Sequence, residues 1–211
     1  MITIHHLGVS QSDRIVWLME ELGLPYELDW YDRGEDMLAP PEFRALHPAG
    51  TAPIITDGDL VLAESAAICE YVSYRYGNGA LSVAPGEPDY PQYLYWMQFN
   101  NSGLFSSIVT LAVQAAGGSL DDNVFAITAQ RREAGLYRHL DQRLGEHDYL
   151  AAGRFSCADI MAMFNLTTLP RFGGRTMDDL PNVMAYIERI SARPMYKKAM
   201  AIAGPDAPRP E

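Results

Sequence analysis

The stretch His47-Pro-Ala-Gly-Thr-Ala-Pro-Ile-Ile-Thr-Asp-Gly-Asp-Leu-Val-Leu-Ala-Glu-Ser-Ala-Ala-Ile68 decides how the first part of the chain folds. Two short apolar runs, Ala52 to Thr56 and Leu60 to Leu62, flank Asp57-Gly58-Asp59. An Asp-Gly turn between apolar runs predicts an antiparallel hairpin. From Glu64 to Tyr76 the spacing turns helical, with Ile68, Tyr71 and Val72 facing inward and Gly77 as the stop. Working back, Met1 to Leu7 alternates as a strand, with Ile2, Ile4 and His6 on one face. From Ser12 a helical stripe of Ile15, Leu18, Met19 and Leu22 runs to a stop at Gly23, and Tyr26 to Tyr31 alternates again.

The order is therefore β-α-β, a short helix, then β-β-α. A strand-helix-strand start requires a parallel pair joined by a right-handed crossover, and the hairpin adds antiparallel strands. The expectation is a mixed four-stranded sheet covered by helices, the thioredoxin-like arrangement. The remainder carries helical patterns, roughly over 90–116, 122–144, 156–169, 181–191 and 194–201, and no internal repeat. The expected organisation is an α/β thioredoxin-like domain over 1–78, a Gly/Pro-rich linker over 79–88, an all-α domain over 89–203 and a flexible tail over 204–211.

Composition narrows the function. At 211 residues, 48% hydrophobic and 20% charged, the chain is globular in type rather than disordered. No apolar run approaches the ~20 residues that span a bilayer, and no signal peptide is visible at Met1. Cys69 and Cys157 form neither a disulfide framework nor a Cys-x-x-Cys pair, so a cytoplasmic location is expected. Sixteen basic against 27 acidic residues give a net charge of -11, and no basic stripe is present to neutralise phosphates. Nucleic-acid binding is therefore not expected. Residues 1–84 hold four basic and thirteen acidic side chains, net -9, and leave -2 for the rest.

Three segments at the right spacings make the chain resemble a cytosolic glutathione S-transferase of the serine type. They are Ser10-Gln-Ser-Asp-Arg14, the middle stretch through Glu64-Ser65, and Phe155-Ser-Cys-Ala-Asp-Ile160. The resemblance extends from Met1 to about Met200 and implies glutathione as co-substrate, a small hydrophobic electrophile as second substrate, and a homodimer. It implies no metal or redox cofactor. In such proteins the proline of Thr51-Ala52-Pro53 follows a cis bond, and the backbone before it pairs with the cysteinyl unit of glutathione. The alternative is an ordinary trans proline on an edge strand. Ser65, as helix N-cap, and the N–H of Ala66 would hold the glutamyl carboxylate, with Glu64 against the glutamyl ammonium.

Ser10 is the candidate for the chemistry, with Ser12 the competitor because it also suits the cap of the first helix. A thiol of pKa about 8.5 becomes mostly thiolate at neutral pH when about 2.7 kcal/mol favours the anion. One hydroxyl donating to the thiolate supplies roughly 1.5–3 kcal/mol, and the helix N-terminus adds a little more. No general base is needed. Relatives commonly carry a lysine at the position of Thr51, where it meets the glycyl carboxylate. Arg14, Arg33, Arg44 and His47 are the nearby alternatives, and modest glutathione affinity is expected.

Other residues attract simpler readings. His5 and His6 are neighbours on a strand and point to opposite faces, so they cannot easily chelate together. Ser156 and Asp159 form a capping box, with Phe155 and Ile160 as its hydrophobic staple, so Asp159 is structural. The second substrate is expected against the first long helix, at Trp96, Phe99, Asn100 and Gly103, with Asn100 or Asn101 turned toward it. The leading expectation is conjugation of glutathione to the electrophile. The alternatives are glutathione-dependent reduction of peroxides or disulfides at the same site, and a non-catalytic binding module.

Overall fold

The computed structural model describes residues 1–118, 121, 123–173 and 176–210. They divide into two compact units, Met1–Ser82 with Ser191–Glu211, and Val83–Ile190.

The first unit is built on β1 (Ile2–Leu7), α1 (Asp13–Leu22), β2 (Tyr26–Tyr31), α2 (Pro41–Arg44), β3 (Ile54–Asp57), β4 (Leu60–Ala63) and α3 (Ser65–Arg75). The sheet order is β2-β1-β3-β4, with β1 parallel to β2 and antiparallel to β3, as the element order requires. Gly58, at a φ of 58°, forms the tight hairpin turn with Asp59, and Asp57 pairs with Leu60. The central β1 is covered on both faces: Ile2, Ile4, His5, His6 and Leu7 are all buried. One face packs Leu7, Ile54 and Ala63 against Phe43 of α2. Gly23 ends α1 in the left-handed conformation expected of it.

A single inward stripe on α1 would leave its other side wet, yet Ile15 to Met19 is buried without a break. The cover is α9 (Pro194–Ala203), which the sequence grouped with the helical half but which packs on the first unit. Tyr196 meets Trp17 edge-on at 4.8 Å. Arg193 grips the Glu21 carboxylate with two hydrogen bonds of 2.8 and 2.7 Å, and Lys198 pairs with Glu20 at 2.6 Å. In the tail, Arg209 pairs with Asp32.

The second unit contains α4 (Tyr90–Ala115), α5 (Val124–Glu146), α6 (Cys157–Thr167), α7 (Leu169–Gly173) and α8 (Pro181–Ser191). Asp122, the expected start of α5, lies outside the described residues; Asn123 caps the helix by accepting from the N–H groups of Phe125 and Ala126. The capping box is present at α6, where Asp159 accepts from the Ser156 N–H at 2.9 Å and hydroxyl at 3.1 Å. Its other oxygen accepts from Leu150 N–H at 3.0 Å and the Tyr186 hydroxyl at 2.8 Å, which ties three segments together. Among the described residues, no helix is long and apolar enough to cross a membrane.

Candidate active site

The strand register brings the three site segments to one end of the sheet. His5 pairs with Ile54, and Ile54 pairs with Ala63. The turn after β1, the chain entering β3 and the chain leaving β4 therefore meet at that end. Pairing within β3 begins at Ile54, so Thr51 and Ala52 stand outside the ladder. The Ala52-Pro53 bond is cis, as the resemblance implied.

The β1–α1 turn is held in an unusual shape. Val9 has a φ of 50°, which a β-branched residue rarely adopts. Arg33 holds it there: its guanidinium donates to the carbonyls of Gly8 (2.9 Å), Val9 (3.1 Å) and Met37 (2.8 Å). Arg33, one of the candidate cations for glutathione, is thus directed at the backbone.

Ser10 and Ser12 share one buried network. Ser10 Oγ lies 2.6 Å from the Leu7 carbonyl and 2.7 Å from Ser12 Oγ, which lies 2.7 Å from His6 Nδ1. Ser12 occupies the N-cap position of α1, but its hydroxyl serves this network instead of capping the helix. It is fully enclosed, whereas Ser10 retains 7% exposure. Burial holds His6 down to about 4, so its ring is neutral at physiological pH.

Arg14 joins this turn to the next segment. Its side chain is buried, donates to Gln11 Oε1, and reaches Ser65 Oγ at 3.4 Å. Burial lowers it to about 10, which leaves it cationic at neutral pH. Expected as the N-cap, Ser65 is instead the first residue of α3, and Glu64 takes the cap position at a φ of 74° without capping the helix through its side chain. That backbone conformation is costly for a non-glycine residue. It leaves Glu64 exposed and Ser65 buried beside Arg14. Thr51 is exposed, and His47 Nδ1 accepts from the Ala49 N–H at 3.1 Å.

The α4 residues separate into two groups. Trp96 is buried and stacks on His139 at 5.2 Å. Asn100, one of the two asparagines of which one is expected to face a ligand, is tied into the packing and also lines the cavity bordered by Phe99 and Gly103. Its amide donates to the carbonyls of Trp96 (2.8 Å) and Ala158 (3.1 Å), and its own carbonyl accepts from Asn165 at 2.7 Å. Phe99 and Gly103 are half-buried and line a cavity with Leu136, Tyr137 and Asn165.

His6 and Arg33 are the residues whose roles the sequence concealed. The available signal for His6 was its place on the Ile2-Ile4-His6 face, where a polar residue among aliphatics needs a partner. No comparable signal marked Arg33, whose carbonyl partners become neighbours only in three dimensions.

The thioredoxin-like sheet, the cis-proline turn and the attached helical unit define the class of protein, and comparison with known proteins defines the family. Residues 10–74 match the glutathione S-transferase N-terminal domain, and residues 126–194 match the C-terminal domain. Glutathione S-transferase 3 of Schizosaccharomyces pombe is 31% identical, over 94% of this chain and 86% of the relative. A glutathione S-transferase from Actinobacillus pleuropneumoniae has a solved structure that superposes with a TM-score of 0.88 at 34% identity, covering 100% of this chain and 97% of the other. One from Xylella fastidiosa superposes at 0.77 with 25% identity, over 97% and 99%. The chain belongs to the glutathione S-transferase family and is a transferase that uses glutathione.

Proposed function

We propose that the chain binds glutathione at the sheet end bordered by Ser10, Thr51-Ala52-Pro53 and Glu64-Ser65, and conjugates its thiolate to small hydrophobic electrophiles. The observation that carries this reading is the Ser10 hydroxyl. It is the more accessible of two linked serines, at the start of a helix whose N-terminus favours an anion. Ser12 has no free face and is the weaker candidate. The unpaired backbone of Thr51 and Ala52 suits an antiparallel peptide, which glutathione supplies. At the other end, the Arg14 charge and the first turn of α3 favour the glutamyl α-carboxylate on Ser65, and the exposed Glu64 carboxylate faces its ammonium.

Catalysis of this kind is ionisation plus proximity, with glutathione as co-substrate and no metal or redox cofactor. The electrophile is assigned to the Phe99–Gly103 part of α4, where Asn100 lines the same cavity, with Trp96 buried against His139. A cytoplasmic homodimer is part of the same proposal. Its support is the exposed apolar surface at Leu60, Val61, Tyr74 and Tyr76, and at Leu94 and Tyr95 on α4.

The test combines retention on immobilised glutathione with turnover of a chlorinated nitrobenzene. Retention and turnover are both expected, with turnover reduced about tenfold or more in Ser10→Ala, from the roughly 1.5–3 kcal/mol of a charge-assisted bond. Retention without conjugation would refute the assigned reaction.

A further inference from the structure

The serine network contains more order than thiolate stabilisation requires, and its protons can be counted. The Leu7 carbonyl only accepts, so the 2.6 Å contact uses the single Ser10 proton. The Ser12 proton has two acceptors in reach, Ser10 Oγ at 2.7 Å and the Leu7 carbonyl at 3.4 Å, and the shorter contact with the otherwise unfilled Ser10 lone pair takes it; Ser10 Oγ also receives the Ser12 backbone N–H at 3.3 Å. With its own proton committed to Ser10, Ser12 Oγ can only accept from His6 Nδ1–H at 2.7 Å. The opposite direction would leave the Leu7 carbonyl without the Ser10 proton and place an unpaired N–H on His6 Nε2, which is buried with no hydrogen-bond partner among the described residues. An orphaned acceptor is the lesser cost of the two. The His6 ring is fixed against Trp30 at 4.3 Å, so it cannot readily turn to reverse the order.

The geometry points to His6 and Ser12 as positioning residues: a one-way chain from His6 Nδ1–H through Ser12 to Ser10 fills the inward lone pairs of Ser10 and leaves its proton as the part free to swing from the Leu7 carbonyl to the glutathione sulfur. This inference rests on Ser10 being the thiolate donor. Each bond in such a chain polarises the next, so Ser10 becomes a stronger donor than an isolated serine. His6 neither touches glutathione nor exchanges a proton with it. Its burial keeps it neutral, which preserves the direction of the chain across the range where the bound thiol titrates.

The experiment measures the pKa of glutathione bound to the full-length protein, from the ultraviolet absorbance of the thiolate. The variants are Ser10→Ala, Ser12→Ala, His6→Phe and His6→Asn, with thermal denaturation confirming that each is folded. Ser10→Ala is expected to cut the thiolate fraction near neutral pH about tenfold or more. Ser12→Ala and His6→Phe are each expected to cut it about two- to fivefold, lowering kcat with little change in KM for glutathione. His6→Asn is expected to restore it, because the asparagine amide can place an N–H where Nδ1–H stood. The Ser12→Ala/His6→Phe double variant is expected to match the Ser12→Ala single, since His6 acts only through Ser12. If Ser10→Ala leaves the thiol unmoved, the thiolate-donor reading itself fails. If Ser10→Ala shifts it but Ser12→Ala does not, or if His6→Asn is as impaired as His6→Phe, the donor reading stands and the positioning chain is overturned. Should either His6 variant fail to fold, Ser12→Ala decides the outcome alone.

Discussion

Asp13 is the most exposed to test by a single substitution, because its environment opposes its charge. It is the first residue of α1, 4% exposed, and its Oδ1 has no hydrogen-bond partner among the described residues. Burial outweighs the neighbouring Arg14 charge and lifts the carboxyl from 3.8 to about 7. Between those values the folded chain holds a proton that the unfolded chain has released, so this group makes stability fall as pH rises. At about 1.4 kcal/mol per pH unit, the loss across the window is roughly 4 kcal/mol. His6 acts in the opposite sense. Lowered from 6.5 to about 4, it is neutral when folded while the unfolded chain is protonated, so stability rises with pH across that interval. The two contributions offset each other in the natural sequence, and Asp13→Asn removes one of them. The variant is expected to gain on the parent steadily from about pH 4 to about pH 7 and to hold the gain above it. Any constant cost of the amide shifts the difference without altering its slope. Urea unfolding at several pH values, at fixed protein concentration, reads that difference directly. A difference independent of pH, or one that shrinks as pH rises, would mean that Asp13 is ionised in the folded chain and would refute the reasoning.

Three further outcomes are expected. Arg33→Met frees the Gly8–Val9 turn and should raise KM for glutathione about tenfold or more, the scale of one lost charged hydrogen bond; steady-state kinetics with an unmoved KM would show that the turn holds without it. Asp159→Ala strands four buried donors and should cost about 3–5 kcal/mol in denaturant unfolding, with Asp159→Asn costing less because one acceptor remains. Thr51→Lys should tighten glutathione binding about three- to tenfold at low ionic strength, and salt should erode that gain. Calorimetry at two salt concentrations checks this last expectation, and a salt-insensitive gain would contradict it.

Much of the site was legible locally. The Asp-Gly hairpin, the helix stop at Gly23, the Ala52-Pro53 turn and the Ser156–Asp159 capping box each depend on residues a few positions apart, so spacing alone exposes them. Ser10 and Ser12 were both visible as hydroxyls at a helix start, but nothing local ranked them. Burial separates them, because Ser12 is fully enclosed and Ser10 retains 7% exposure. Polarity likewise marked Asn100 as needing partners without saying whether they are backbone or ligand; it bonds neighbouring carbonyls and also lines the α4 cavity.

By itself the sequence determined the order of strands and helices, the positions of turns and caps, and the acidic balance, since these follow from periodicity and residue chemistry over short range. Only the tertiary structure decided that α9 would cover the second side of α1, that Arg33 would spend its donors on the Gly8–Val9 turn, and that His6 would meet Ser12. Those pairings join residues brought together by strand crossover and helix packing, and hydrogen-bond direction depends on which groups burial has deprived of water.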